Sequence, residues 1–301
     1  MQNYNTYIPD EIKKEHAIYE RVFGAGDSKL KKSFNWLKLL PIRERQWWIP
    51  FCVIFSRLDC AEAKGNKEGV KRNFSDRRLG VESGTTKVGN SMDAVSEWFR
   101  KKGVDLETDT PFTKEMFSEG WNMWDEIFDL PEAGKRYFGG SHSWVWTKQG
   151  MIDALEHSPL SIAVGECENN WERDGEVQNP TRIDFYHCVT LYYIDELGRY
   201  HVRDSLGKEF KILNKDYPIK WCKSFRDLPE NWKDKNMENE FVKIIADKTT
   251  PDSKAVGFFI PATSPDALKT LALSFNKTIE KKDNGEIDWD KTIEGEMQLK
   301  K

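Results

Sequence analysis

The sequence predicts an α+β protein in which a mostly helical first half and a β-rich second half form two lobes around a cleft. Two segments of the first half are typical of helices: an apolar run after Pro50 and an amphipathic stretch from Met92 to Gly103. After Gly139-Gly140 the pattern changes to β-branched, alternating segments that indicate strands. The length of 301 residues accommodates one large domain or two smaller ones that share a cleft.

The helices of the first half have recognisable limits. The run from Phe51 to Ala63 is largely apolar and follows a proline, so we expect Cys52 in the first turn of a buried helix. A loop rich in glycine, serine and threonine over 80–91 leads to the amphipathic helix, and Gly103 is expected as its C-cap. The first half is therefore predicted to be mainly helical.

Three segments of the second half are predicted as strands, at 159–165, 185–194 and 199–205. Gly198 lies in the short turn between the last two, which predicts a β-hairpin. A further apolar segment at 255–260 is another strand candidate. The second half is therefore predicted to be β-rich.

These patterns divide the chain into four parts. Residues 1–40 are predicted to be a leader that packs on the body, and residues 41–140 a helical lobe that carries the nucleophile helix. Residues 141–260 form the β-rich lobe, and residues 261–301 a charged C-terminal tail that we expect to be peripheral.

Charge and hydropathy exclude several classes of partner. Lysine and arginine number 46 against 50 aspartates and glutamates, a net charge of −4, and the two signs are interspersed, so no nucleic-acid partner is expected. No apolar run approaches the roughly 20 residues of a membrane span, so no membrane partner is expected either. The polar N-terminus lacks the pattern of a signal peptide, which predicts a cytoplasmic location.

The cysteines indicate chemistry more than cross-linking. Their number is odd, none forms a CxxC pair, and none stands near a histidine at zinc-finger spacing. We therefore expect no disulfide framework, no metal site and no cofactor. All of them except Cys52 are expected to be structural thiols: Cys60, Cys167, Cys188 and Cys222.

Four residues could together form a thiol-dependent active site. Cys52 at a helix N-terminus would have a stabilised thiolate, and His187 on a strand of the other lobe could act as its base. Asp204 on the facing hairpin strand could fix the imidazole tautomer, and Gln46 could donate to an oxyanion. Two simpler interpretations remain open: Cys52 as a small core residue and His187 as a core histidine.

The order and spacing of these residues resemble the papain-like cysteine peptidases. His187 and Asp204 follow Cys52 by 135 and 152 residues, against about 130–150 in that family. Gln46 precedes Cys52 by six residues, as the family's oxyanion glutamine precedes its cysteine. The resemblance covers about residues 41 to 260 and implies a two-lobed papain-like fold, with a helical left lobe and a β-barrel-like right lobe.

Short motifs strengthen the resemblance. The segment 52–56, Cys-Val-Ile-Phe-Ser, is similar to the family's Cys-Trp-Ala-Phe-Ser, and 74–79 is similar to its Leu-Ser-Glu-Gln-Glu-Leu. The segment 187–189 matches its His-Ala-Val, and 204–207 stands where the family has Asn-Ser-Trp-Gly. Gly89-Asn90 falls at its substrate-binding Gly-Gly.

Four candidate substrate contacts follow from the resemblance. Gly89 and Asn90 are expected to clamp the substrate backbone, with a plain turn as the alternative. Ser205 is also expected to contact the substrate. Phe51 stands where the family has small residues, so we expect its ring to narrow the cleft.

Other departures from the family change what the resemblance implies. Asp204 replaces an asparagine, and a carboxylate favours the imidazolium more strongly than an amide does. Leu206 replaces the tryptophan that shields the pair from water. Only about forty residues precede Gln46, so no long inhibitory propeptide is expected.

The leading functional hypothesis is a thiol hydrolase that cleaves peptide bonds in a peptide or protein substrate. The alternative is a catalytically weakened papain-like domain that serves as a structural or binding component of a larger assembly, with other subunits as partners. A phage virion is one such assembly, which would make the protein virion-associated. A third hypothesis is an acyl transferase or amidase that uses the same Cys-His-Asp order.

Overall fold

The computed structural model describes residues 7–13, 16–23, 31–166, 171, 175–229 and 232, all within one compact unit, Met1–Lys233. The strand candidate at 255–260, the tail at 261–301 and Cys167 lie outside these residues. In the described residues the helices are α1 (Tyr19–Phe23), α2 (Cys52–Lys67), α3 (Asp76–Glu82), α4 (Met92–Lys102), α5 (Lys114–Ser118), α6 (Trp124–Phe128) and α7 (Lys148–Ala154). The strands are β1 (His142–Trp144), β2 (Leu160–Glu166), β3 (Glu176–Val177), β4 (Phe185–Ile194), β5 (Tyr200–Arg203), β6 (Phe210–Leu213) and β7 (Ile219–Phe225).

The central helix α2 is buried along most of its length, and its buried residues include the charged Arg57 and Glu62 as well as apolar side chains. It packs on β2 and β4 of the sheet and on α3 and α4 of the helical lobe. Its last turn carries Lys64 and Lys67, which suit the negative end of the helix dipole. Helix α2 therefore connects the two lobes and fixes where Cys52 lies.

Local capping sets the limits of the helices around α2. Helix α3 begins after Ser75, whose Oγ accepts from the backbone N–H of Arg78 at 3.0 Å. Helix α4 begins after Ser91, which accepts in the same way from Ala94, and it ends at Gly103 with φ 72°. The expected helix with a glycine C-cap is confirmed.

The β lobe is one seven-stranded sheet with the order β1-β7-β2-β4-β5-β6-β3. All neighbours are antiparallel except β3 and β6. Strands β4 and β5 form the expected hairpin, with Ile194 opposite Tyr200 and Gly198 at φ 77° in the turn. A helical lobe followed by an antiparallel sheet is the predicted α+β architecture, which is thereby confirmed.

Two apolar clusters form the core. One joins α2, α3 and α4 and contains the large rings of Phe51, Phe74 and Phe99. The other lies against the sheet and contains aliphatic side chains of β2, β4 and β5 together with Trp36 of the leader. Since α2 contributes to both, packing of the two lobes and placement of the candidate site depend on one helix.

The leader contacts the β lobe through its second part. The side chain of Trp36 is fully buried, and its Nε1 donates to the carbonyl of Leu155 at 2.6 Å. Backbone N–H groups of Ser33 and Trp36 donate to carbonyls of Ile194 and Tyr192 at the end of β4. A large buried aromatic ring with its N–H satisfied anchors this stretch.

The Phe51 ring occupies a different place from the one expected. It is fully buried in the helical lobe, 5.7 Å between ring centroids from Phe112. A methyl group on Gly80 of α3 would overlap this ring, so the glycine makes room for it. The structure corrects the expectation that Phe51 lines and narrows the cleft: the missing side chain at residue 80 draws the ring into the core.

The described residues contain no helix that combines the length and the apolar character needed to cross a bilayer.

Candidate active site

Cys52 is the first residue of α2, and its side chain is fully buried. Backbone N–H groups of a helix's first turn have no intrahelical partner, so this end favours a negative charge such as a thiolate. One turn later, the carbonyl of Ser56 accepts from Thr190 Oγ1 of β4 at 3.4 Å. The second turn of α2 therefore contacts the middle of β4.

Cys188 of β4 lies near Cys52 in the first turn of α2. It shares the apolar cluster of Cys52, and its pKa is raised well above the ordinary range by burial first and then by the charge of Cys52. His187 is its chain neighbour. The first turn of α2 therefore lies near the part of β4 that contains Cys188.

His187 and Asp204 form a fully buried pair. The imidazole Nε2 lies 2.8 Å from Asp204 Oδ1, and neither side chain is exposed to solvent. Asp204 follows β5 directly, and β5 pairs with β4, so the hairpin brings the carboxylate to the histidine. This contact holds the ring by Nε2, which makes Nδ1 the nitrogen for a reacting group.

Three further donors surround the Asp204 carboxylate. The backbone N–H of Leu206 donates to Oδ1 at 2.8 Å, Trp171 Nε1 donates to Oδ2 at 2.7 Å, and Lys211 Nζ lies 3.3 Å from Oδ2. Burial alone would raise the pKa of Asp204. The charge and hydrogen bond of His187, the charge of Lys211 and the Leu206 N–H reverse this and lower it below the ordinary value.

Trp171 supplies the shielding that Leu206 was expected to remove. Its ring meets the imidazole edge to face, with 5.9 Å between centroids and 87° between planes, and the indole is 4% exposed. The implication that the pair lacks a tryptophan cover is therefore wrong. Another segment of the chain provides the aromatic ring.

Gln46 is fully buried, and its neighbours fix the orientation of its amide. Its backbone N–H donates to the Ser205 carbonyl at 3.1 Å, and Ser205 Oγ donates to its Oε1 at 2.7 Å. Its Nε2 donates to the Ile49 carbonyl at 3.1 Å. Ser205, predicted to contact substrate, contacts Gln46 in the structure.

Arg43 fastens the loop after β5 to the segment before α2. Its guanidinium donates to the carbonyl of Asp204 at 3.2 and 3.0 Å and to that of Gly207 at 2.7 Å. Because Gln46 is three residues along the chain from Arg43, this clamp helps to hold the predicted oxyanion donor beside the predicted pair.

Gly89 and Asn90 form a turn that also accepts a backbone N–H. Gly89, at φ 97°, exchanges backbone hydrogen bonds with Thr86, and the Asn90 carbonyl accepts from the N–H of Ile8 at 3.0 Å. Tyr7 donates its own N–H to the carbonyl of Tyr186, the residue before His187, at 3.2 Å. An extended segment of the leader is thus bound by both lobes where a substrate backbone was predicted.

Asp10 secures this segment on the helical lobe. Its carboxylate accepts from the backbone N–H groups of Met92 and Asp93 at 3.1 and 3.0 Å, in the first turn of α4. The Tyr7 hydroxyl donates to the same carboxylate. The leader was expected to pack on the body, and its residues 7–10 connect Tyr186 with α4.

Two other groups of titratable residues lie outside this arrangement. Burial raises the pKa of the Cys60 thiol to about 12 and that of Cys222 well above the ordinary range. In the described part of the chain, carboxylate oxygens of Glu44, Asp76 and Glu107 lie within 4.8 Å of one another and could hold a cation. Burial and the neighbouring acids raise the pKa of Asp76, so shared protons also satisfy this cluster.

No protein-family model matches the chain, and no curated protein matches its sequence. Solved structures do match. Xylellain, a cysteine protease from Xylella fastidiosa, aligns with a TM-score of 0.58 at 15% identity, over 75% of this chain and 96% of that one. The chain has a papain-like fold.

Two further structures support this conclusion. The cysteine protease and lectin-like domains of Cwp84 from Clostridium difficile align with a TM-score of 0.58 at 16% identity, over 75% of this chain and 56% of that one. The Carica candamarcensis cysteine protease CMS1MS2, in complex with E-64, gives 0.52 at 13% identity, over 66% and 100%. At such identities the papain-like likeness defines the fold, and arguments about activity depend on the residues of the site.

Proposed function

We propose that the protein is a papain-like thiol hydrolase that cleaves peptide bonds, with Cys52 as nucleophile and His187 as its proton carrier. The observation that carries the proposal is the fully buried contact between His187 Nε2 and Asp204 Oδ1, in a fold whose helix α2 begins at Cys52. A buried histidine held by a carboxylate at a helix N-terminus that bears a cysteine is the arrangement that thiol catalysis requires.

The first chemical step is acylation. The Cys52 thiolate forms a bond from its sulfur to the carbonyl carbon of the substrate, and Gln46 stabilises the oxyanion that develops. The carbon–nitrogen bond then breaks, and the leaving amine takes its proton from the His187 imidazolium. Asp204 keeps the ring oriented through both events.

The second step restores the enzyme. A water molecule gives a proton to His187 as its oxygen attacks the thioester carbon. The carbon–sulfur bond breaks, the carboxylic acid product leaves, and the thiolate and imidazolium are regenerated. No redox partner or cofactor is consumed in this cycle.

Substrate binding uses the carbonyls that now hold the leader. The Asn90 and Tyr186 carbonyls accept N–H groups of Ile8 and Tyr7. An extended peptide could take the same two acceptors once the leader leaves. The leader therefore competes with substrate for one backbone-binding strip.

The test is covalent labelling with an epoxysuccinyl electrophile, followed by mass mapping of each cysteine. Cys52 is expected to alkylate first at neutral pH, because burial raises the pKa of Cys60, Cys188 and Cys222. Cys52→Ala should abolish labelling and hydrolysis of a fluorogenic peptide library, whereas Cys60→Ala, on the same helix, should retain both. Labelling of another cysteine ahead of Cys52 in the folded protein contradicts the proposal.

The same assays separate the alternatives. A folded protein whose Cys52 stays unlabelled, even after substitutions that free the leader, favours the structural or binding component. A protein that labels at Cys52 but forms new amides when a primary amine is added favours an acyl transferase.

A further inference from the structure

Asp204 is a carboxylate buried beyond the reach of water, and such a charge is costly unless it is paired. Two basic side chains contact it, His187 at Oδ1 and Lys211 at Oδ2. If the histidine were its sole counter-charge, each proton that left the imidazole would leave the carboxylate without a cation. The second cation is therefore part of how the site works.

Lys211 is placed by the alternation of β6. The strand pairs with β5, and its residues 211 and 213 are buried while Phe210 is exposed. The Lys211 side chain is 2% exposed, with Nζ 2.9 Å from the Lys208 carbonyl and 5.3 Å from the Trp171 ring centroid. A charged side chain at an interior position of a strand, oriented by a carbonyl and an aromatic face, has a defined geometry toward Asp204.

The other charged groups nearby have partners of their own. Arg43 donates to the backbone carbonyl of Asp204 and lies beside Arg45. Arg203 pairs with Asp59 at 3.2 Å and with Glu209 at 3.1 Å. On the side of α2, the titratable groups include the Cys52 thiol and the Asp59 carboxylate, and Asp59 pairs with Arg203.

We propose that Lys211 is a positioning residue that acts on His187 through Asp204 by neutralising the carboxylate. Paired with Lys211, Asp204 accepts the imidazole N–H as a neutral acceptor would, so the ring is oriented without holding its proton too strongly for release to the leaving amine. The inference rests on the proposed function, because that function has the His187 proton pass to the leaving amine.

The test is a double-mutant cycle with Lys211→Met and Asp204→Asn. In the native background, Lys211→Met should lower kcat/KM for a peptide substrate about tenfold, because the carboxylate is left without its counter-ion. In the Asp204→Asn background the lysine no longer faces a carboxylate at residue 204, so Lys211→Met should raise kcat/KM several-fold. The sign of the effect reverses only if the two charges act on each other.

The matched control is Lys223→Met. Lys223 is also a fully buried lysine, pairs with Asp93 and lies 4.0 Å from the centroid of the Trp144 ring, but it has no contact with Asp204. It should change stability and leave kcat/KM within about twofold. Lys223→Met therefore distinguishes the general effect of removing a buried lysine from the specific effect of removing the Lys211 charge beside Asp204.

A pH readout distinguishes positioning from general destabilisation. Removal of a positive charge makes every nearby proton harder to remove, so both limbs of the pH profile of kcat/KM should move to higher pH in Lys211→Met and stay in place in Lys223→Met. The midpoint of the His187 ring signal in an NMR pH titration should move the same way, and toward lower pH in Asp204→Asn.

The NMR titration needs no turnover, so it separates this inference from the proposed function. If the midpoints shift in a protein that has no activity, the pairing of Lys211 with Asp204 is supported and the proposed hydrolase function is rejected. The proposed role of Lys211 is overturned if the His187 titration midpoints do not move. It is also overturned if the effects of Lys211→Met and Asp204→Asn on kcat/KM simply multiply in the double variant. If circular dichroism shows that Lys211→Met is unfolded, two other variants provide the test. Lys211→Arg keeps the positive charge and should behave as wild type. The double variant buries neither charge, and its kcat/KM should be compared with that of Asp204→Asn.

Discussion

The two lobes hold their halves of the candidate site by different forces. On the helical side, Cys52 is held by packing: the neighbouring Phe51 ring fills the space that Gly80 leaves. On the β side, His187 is held by charge, through Asp204 and Lys211. The helical side should therefore respond to changes in volume, and the β side to changes in charge at constant volume.

The same contrast extends to the buried carboxyl groups. In the helical lobe, burial raises the pKa of Glu62 and Asp76 well above the ordinary range and that of Glu107 to about 8, and their acidic neighbours add to this effect. In the β lobe the pKa of Asp204 is lowered, because cations and N–H donors surround it. The group formed by Glu62, Asp76 and Glu107 is thus expected to respond to pH with the opposite sign to Asp204.

The largest expected effect tests packing on the helical side. Phe51→Ala should lower the free energy of unfolding by about 3–5 kcal/mol, because it removes a buried ring from a closely packed site. Urea denaturation followed by circular dichroism measures this. Phe128→Ala, on a ring that is 36% exposed, should cost much less. A loss below 1 kcal/mol for Phe51→Ala would contradict the packing account.

The next effect tests charge and geometry on the β side. Asp204→Ala should lower kcat/KM at least about 100-fold, because the imidazole loses its orienting acceptor, whereas Asp204→Asn should lose about tenfold because its amide oxygen still accepts. Steady-state hydrolysis of a fluorogenic peptide measures both.

The sheet offers a matched control for this experiment. Asp195 contacts His201 Nε2 at 3.1 Å, which makes a second histidine–aspartate pair on the β4–β5 hairpin, away from Cys52. Asp195→Ala should leave kcat/KM within about twofold. Equal losses for Asp204→Ala and Asp195→Ala would mean that both act through stability of the hairpin.

Local sequence patterns predicted most of the architecture. The apolar run after Pro50, the capped helix that ends at Gly103 and the hairpin around Gly198 each have a short-range cause, namely periodicity, capping or a positive φ. The pairing of His187 with Asp204 followed from two residues on adjacent strands of that hairpin. Such features lie within reach of sequence because the residues that cause them are near in the chain.

What the sequence did not indicate depends on contacts between distant segments. Trp171 reaches Asp204 from a stretch without a distinctive pattern, and the leader reaches Asn90 across more than eighty residues. Phe51 was misplaced because its space is created by Gly80 of another helix. One feature of the sequence did point to Lys211. It is a lysine on the inward face of the strand Phe210–Leu213, where the other inward residue, Leu213, is apolar.

A smaller effect tests whether the contributions of Glu107 and Asp204 to stability change with pH in opposite directions. The folded pKa of Glu107 lies above its ordinary value of 4.5, so its contribution to stability is present at low pH and lost as pH rises toward about 8. Glu107→Gln should therefore match wild type near pH 5 and exceed it by roughly 2 kcal/mol near pH 8. Urea unfolding at both pH values measures the difference.

Asp204→Asn provides the contrast for that series. The folded pKa of Asp204 is lowered, so its contribution is present above the ordinary carboxyl range and lost as pH falls through the folded pKa. This variant should lose stability relative to wild type at neutral pH and approach it in acid. Parallel pH curves for Asp204→Asn and Glu107→Gln would refute the contrast between these two carboxyl groups.

The smallest expected effect concerns the leader, which both lobes bind. Asp10→Ala removes three hydrogen bonds that hold residues 7–10 on α4 and to Tyr7, so the leader should leave more often and kcat/KM should rise about five- to tenfold. Ile8→Pro, which lacks the N–H that binds the Asn90 carbonyl, should act in the same direction. Ser91→Ala is the matched control, because it weakens the cap of α4 without touching the leader. A rise in Ser91→Ala equal to that in Asp10→Ala would assign the gain to a loosened α4, and unchanged kcat/KM in both leader variants would show that residues 7–10 do not compete with substrate.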